Sequence, residues 1–122
     1  MNEMNFMFDF EKLDVYQIVK EQNLKVLTIE KSNKNIDPYI MDQWKKASLS
    51  ILLNLAEGTG RMAEEDKRHF LTIARGSVYE SVAILGVIKD LKLIPENEYE
   101  VLYNGYESCS KMLLAMYRSY AK

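Results

Sequence analysis

Few residues of this chain could do chemistry. His69 is its single histidine, and Asp66 and Glu65 stand three and four residues before it, on one face if the stretch is helical. A di-iron helical bundle uses a Glu-x-x-His element on each of two helices plus further carboxylates. Here Asp replaces Glu and no second histidine exists, so the spacing reads as a solvated helix face. Cys109, the only cysteine, sits on an apolar stripe. A thiol nucleophile needs a base or a cation beside it to favour the thiolate. None stands near it in sequence, which points to a buried structural side chain. Gly58-Thr59-Gly60-Arg61 is glycine-rich, but it lacks the Gly-Lys-Ser/Thr ending of a phosphate loop and follows a helical pattern rather than a strand. It reads as a helix stop and tight turn. No catalytic, cofactor or metal site emerges, and the chain is expected to be non-enzymatic.

Polar groups that could bind rather than react are more plentiful. Lys45, Lys46, Arg61, Lys67, Arg68 and Arg75 fall within one stretch, with Lys45-Lys46 and Lys67-Arg68 as adjacent pairs. They could form a basic face. Between Asp42 and Glu80, however, acids are as numerous as bases, the pattern of a mixed-charge solvated surface. Tyr99, Tyr103, Tyr106, Tyr117 and Tyr120 could stack bases, yet at helical spacing they read as core and interface aromatics. Asn54 and Glu57 interrupt an otherwise apolar helix end and would need partners if buried. Arg61, Arg75 or a backbone N–H could supply them, tying the second helix to the third.

Composition sets the frame for these groups. The chain has 122 residues, 48% hydrophobic, with a formal net charge of -2. That is one domain's length and enough apolar material for a core. The near-neutral charge gives no general pull toward nucleic acid or an anionic membrane. One cysteine rules out an intramolecular disulfide. The opening Met1-Asn2-Glu3-Met4-Asn5-Phe6 has no basic leader pattern, and no uninterrupted apolar run approaches membrane-span length. A cytoplasmic protein is expected.

The elements that must position these residues are helical. Only two prolines and five glycines punctuate the chain. A first helix is expected from about Phe10 to Lys31, with Val15, Ile18, Val19, Gln22, Val26 and Ile29 at helical spacing. Asp37-Pro38 opens a second, Asp as N-cap and Pro at the first turn. It runs to Glu57, where Gly58 and Gly60 are expected to stop it. Between Ala47 and Ala56 it is apolar nearly all round, so it is either central to the core or covered on one face by another subunit. A third helix starts near Ala63-Glu64-Glu65-Asp66, whose acids suit the positive end of the helix dipole, and continues to about Leu93. Its interior Gly76 and Gly86 cost roughly 1 kcal/mol each against alanine, so close packing is expected to compensate. A fourth follows Pro95 to about Tyr120, with Tyr99, Leu102, Tyr106, Cys109, Leu113, Met116 and Tyr120 inward. Short connections make neighbours antiparallel. The fold class is all-α, an antiparallel up-and-down four-helix bundle over residues 10–122, with 1–9 a loose N-terminal segment.

Two stretches carry a resemblance. Asn54-Leu55-Ala56-Glu57-Gly58-Thr59-Gly60-Arg61, and Phe70 to Ser77 with Glu80, are similar to the signature of four-helix-bundle proteins encoded in intervening sequences of bacterial large-subunit ribosomal RNA genes. Phe10 to Tyr16 resembles that family's opening motif, and Lys45-Lys46-Ala47 its basic step. The resemblance marks Asn54, Glu57, Gly58, Gly60, Gly76, Ser77 and Glu80 as the structural motif. It implies a homo-oligomeric ring, commonly a pentamer. A related family, the accessory variability proteins of diversity-generating retroelements, works with a reverse transcriptase and nucleic acid. By that analogy Lys45, Lys46, Arg61, Lys67 and Arg68 would contact RNA or a nucleoprotein partner. The other expectation is a protein–protein adaptor with no nucleic-acid contact.

Overall fold

In the computed structural model, which describes residues 8–121, the chain is helical throughout with no strand among those residues. A short 3-10 helix, η1 (Asp9–Lys12), precedes α1 (Asp14–Ser32), α2 (Pro38–Gly60), α3 (Glu64–Asp90) and α4 (Glu96–Tyr120). Each helix packs antiparallel to its neighbours in the cyclic order α1-α2-α3-α4, with α2 against α3 the most extensive pairing. Most of the segment expected to be loose, residues 1–7, lies outside the described residues.

The first helix begins later than its periodicity suggests. Leu13 is extended (φ -81, ψ 135), which separates η1 from α1. The Glu11 carboxylate accepts from the Phe8 N–H at 3.2 Å and closes the 3-10 turn. The start of α2 matches expectation: the Asp37 carboxylate accepts from Tyr39 N (2.9 Å) and Ile40 N (3.3 Å), with Pro38 in the first turn. Its end does not. Helix α2 continues through Gly60, Arg61 is the extended C-cap, and no described glycine has positive φ. Gly58 serves proximity instead. A Cβ there would lie 3.2 Å from Phe70 Cβ and 3.4 Å from the Lys67 carbonyl oxygen of α3. Among the described residues the one positive φ is at Lys92 (φ 58), which turns the chain out of α3 at Asp90 rather than Leu93.

Val19, Trp44, Ile51, Leu55, Leu85, Ile88, Leu102, Tyr106, Cys109 and Leu113 are fully buried along the axis. Each such aliphatic side chain contributes roughly 1.5–3 kcal/mol of transfer free energy. Helix α3 is also long and apolar enough to cross a membrane by length and composition, in contrast to the expectation from uninterrupted runs. Its Leu71, Ala74, Val78, Leu85 and Ile88 are spent on the bundle core.

Candidate functional site

The five candidate cations do not converge. Lys45 and Arg61 are sixteen residues apart on α2, which at 1.5 Å per residue is about 24 Å. Lys45 reaches back to α1, its Nζ 2.6 Å from Glu30 Oε2. That hydrogen bond raises the ammonium above its ordinary pKa. Lys46 pairs with Asp42 one turn away at 3.2 Å, with both side chains exposed. At the other end Arg61 pairs with Glu57 at 2.7 Å and lies 4.6 Å from the Phe70 ring. Lys67 donates to the Thr59 carbonyl at 3.0 Å, and Arg68 donates to the Tyr120 carbonyl. Lys67 and Arg68 thus tie the start of α3 to the last turns of α2 and α4, where cations meet helix-end carbonyls favourably.

The motif residues divide by role. Asn54 Nδ2 donates to the Ser50 carbonyl and hydroxyl within its own helix, and Ser77 Oγ donates to Ser50 Oγ at 2.8 Å. The tie between α2 and α3 therefore runs through Ser50 and Ser77. Glu57 holds Arg61, not α3. Arg75 turns the other way, its Nε donating to the Ser110 carbonyl of α4 and its Nη2 to Tyr79 Oη. Glu80 is exposed and makes no ion pair among the described residues. Gly76 and Gly86 correct the expectation of close packing within the chain: a Cβ at either would meet nothing within 4 Å.

The groups first weighed for chemistry are dispersed. His69 is exposed beside the Phe70 ring, with Glu65 and Asp66 also exposed. Cys109 is buried, and burial pushes its thiol up to about 12, which keeps it protonated at neutral pH. Among the described residues no group of three or more His, Cys, Asp or Glu is placed to hold a metal ion.

A buried polar layer was not read from the sequence. Tyr106 Oη accepts from Trp44 Nε1 at 3.0 Å and lies 2.9 Å from Ser48 Oγ. Asn23 Nδ2 donates to the Ser48 carbonyl at 2.9 Å. Gln22 Nε2 donates to the Leu102 carbonyl at 2.9 Å, and its side chain fills the space where Gly105 lacks a Cβ. The available signal was a glutamine on the apolar stripe of α1; its partner glycine, some eighty residues on, carries no local sign.

Several large apolar side chains face outward. Leu49 and Leu53 of α2 are 46% and 57% exposed. Between α3 and α4 runs an open cleft of about 520 Å³, lined by Leu71, Arg75, Gly76, Tyr79, Leu113 and Tyr117 among others. A second hollow extends it past Tyr79 to Tyr103 and Glu107.

A family model for the 23S rRNA-intervening sequence protein matches residues 11–115. The chain belongs to that family. Both motif stretches, Asn54 to Arg61 and Phe70 to Glu80, fall inside the match. A solved structure of similar fold is a protein of unknown function from the S23 ribosomal protein family of Bacteroides thetaiotaomicron VPI-5482. It superposes with a TM-score of 0.80 at 20% identity, over 84% of this chain and 97% of that one. At that identity the likeness speaks to the fold. No curated protein matches the chain. The family is named for rRNA intervening sequences, and the fold adds no biochemical role to that.

Proposed function

We propose that this member of the family is a non-enzymatic scaffold that assembles with copies of itself, as a ring of five by the resemblance, and holds RNA or a nucleoprotein partner. The observation that carries the reading is the exposure of Leu49 and Leu53 in the middle of α2. A helix that is apolar on its outer face needs a cover, and none is provided among the described residues. The protonated Cys109 and the exposed His69 support the non-enzymatic part. Light scattering on protein leaving a sizing column is expected to give five times 14.2 kDa. A clean monomer would refute the assembly.

The RNA part rests on the family setting and on the two pairs Lys45-Lys46 and Lys67-Arg68. Phosphate contacts make affinity fall steeply with salt. Filter binding at low and moderate salt is expected to show retention of RNA that Lys45→Gln reduces several-fold with the assembled mass unchanged. No retention at low salt, or none lost in that variant, sinks it. A second reading, a protein adaptor without nucleic-acid contact, is favoured by the ion pairs that already occupy Lys45, Lys46 and Arg61. Co-purification of a stoichiometric protein partner free of nucleic acid is its expected sign.

A further inference from the structure

We infer that copies join head to tail, the α2 ridge of one seating in the α3–α4 cleft of the next. The inference rests on the self-assembly reading and goes beyond it by naming the two faces. The cyclic order of the helices puts the α1–α2 side of the bundle opposite the α3–α4 side. On the first, Leu49 and Leu53 stand one turn apart along α2, and Leu27 of α1 borders the same shallow cleft as Leu49. On the second is the apolar cleft that contains Gly76 and Tyr79. The two faces differ in shape, a ridge of leucines on one and a cleft on the other, so each complements the other rather than its own equivalent. A contact between unlike faces is head to tail, and it forms either a closed ring or an open filament.

Height along the bundle favours the ring. The Ser77–Ser50 hydrogen bond sets residue 50 of α2 level with residue 77 of α3. Leu49 and Leu53 therefore bracket the same height as Arg75 and Gly76, with Tyr79 just beyond. Faces at equal height let successive copies repeat about an axis parallel to the helices without climbing. Charge follows the same register. Lys46, one turn before Leu49, is exposed and held only by a surface pair with Asp42, of a kind worth little. Glu107 borders the cleft on the end of the bundle toward which Lys46 lies, and its own surface pair with Lys111 is long, 3.7 Å. Seating the ridge brings Lys46 toward Glu107. It also gives exposed Gly76, which nothing in its own chain approaches, a neighbour that a larger side chain would exclude.

Two variants that spare the core test this: Leu49→Asp on the ridge and Gly76→Trp in the cleft, each checked for helical content by circular dichroism. Light scattering is expected to give 14.2 kDa for each alone and a 1:1 dimer when they are mixed, because each retains the face that the other lacks. Lys46→Glu and Glu107→Lys are each expected to weaken assembly at least tenfold, and together to restore it. Two monomeric variants that ignore one another overturn the head-to-tail contact. Variants that remain assembled overturn the assigned faces while the self-assembly reading stands. A monomeric wild-type chain overturns both.

Discussion

Gly105 shows how one residue can hold two helices at a fixed distance. The α1–α4 contact admits the Gln22 amide only because position 105 has no Cβ. With alanine the Gln22 amide, the free end of a flexible side chain, is displaced from its bond to the Leu102 carbonyl. A stranded buried polar group costs roughly 1–3 kcal/mol. Gly105→Ala is thus expected to lower unfolding free energy by about 1–3 kcal/mol in urea titrations, and Gln22→Ala to recover part of the loss in the double variant. Cys109 gives a pH signature. Its thiol titrates near 8.5 when unfolded and near 12 in the fold, and buried Tyr106 is raised as well. The folded state therefore holds more protons than the unfolded state above about pH 8.5, and stability falls as pH rises through that window. The urea midpoint is expected to drop between pH 8.5 and 11, and to drop less steeply in Cys109→Ala. Equal slopes would remove the thiol from the explanation.

At the scale of elements, helix ends and helix contacts use glycine for different ends. Gly58 lies inside α2 and lets α3 approach, whereas the left-handed turn after α3 falls on Lys92. A non-glycine residue there bears a strain of roughly 1–2 kcal/mol. Lys92→Gly is expected to raise stability by about 1 kcal/mol, seen as a higher urea midpoint with unchanged slope. The buried layer of Asn23, Trp44, Ser48 and Tyr106 joins α1, α2 and α4 through directed bonds. Apolar contacts alone tolerate sliding by a turn, and directed bonds do not. This layer fixes the relative height of the helices, and so the level at which Leu49 and the α3–α4 cleft stand.

For the whole molecule, stability and assembly are linked. If the exposed leucines of α2 are covered by another copy, the assembled state binds only folded chains and gains stability by mass action. The unfolding midpoint is then expected to rise with protein concentration over the micromolar range. A midpoint that stays constant across a hundredfold change would leave those leucines in water and remove the main support for a scaffold. The separation of Lys45-Lys46 from Arg61, Lys67 and Arg68 by about 24 Å along α2 has a corresponding meaning. One copy offers two weak cationic sites, and any strong hold on RNA must sum over several copies.

Helical periodicity, Asp37-Pro38, the acids of the first turn of α3 and the run inward from Tyr99 to Tyr120 determined, with no structure, four antiparallel helices and most of the core. These signals are local: each depends on residues within a turn or two of one another, which is where helix formation is decided. The same reading marked α2 as apolar nearly all round, and so either central to the core or covered by another subunit, without choosing between them. Tertiary structure decided the rest. It showed that Gly58 admits a neighbouring helix, that Glu57 faces Arg61, that Gly76 faces open space and that the candidate cations occupy two ends. It also disclosed Gln22 against Gly105 and Tyr106 against Trp44, pairs some eighty and sixty residues apart. What a glycine, a carboxylate or an amide does in this fold depends on what the opposite helix brings to the same height, and no periodicity along one helix encodes that.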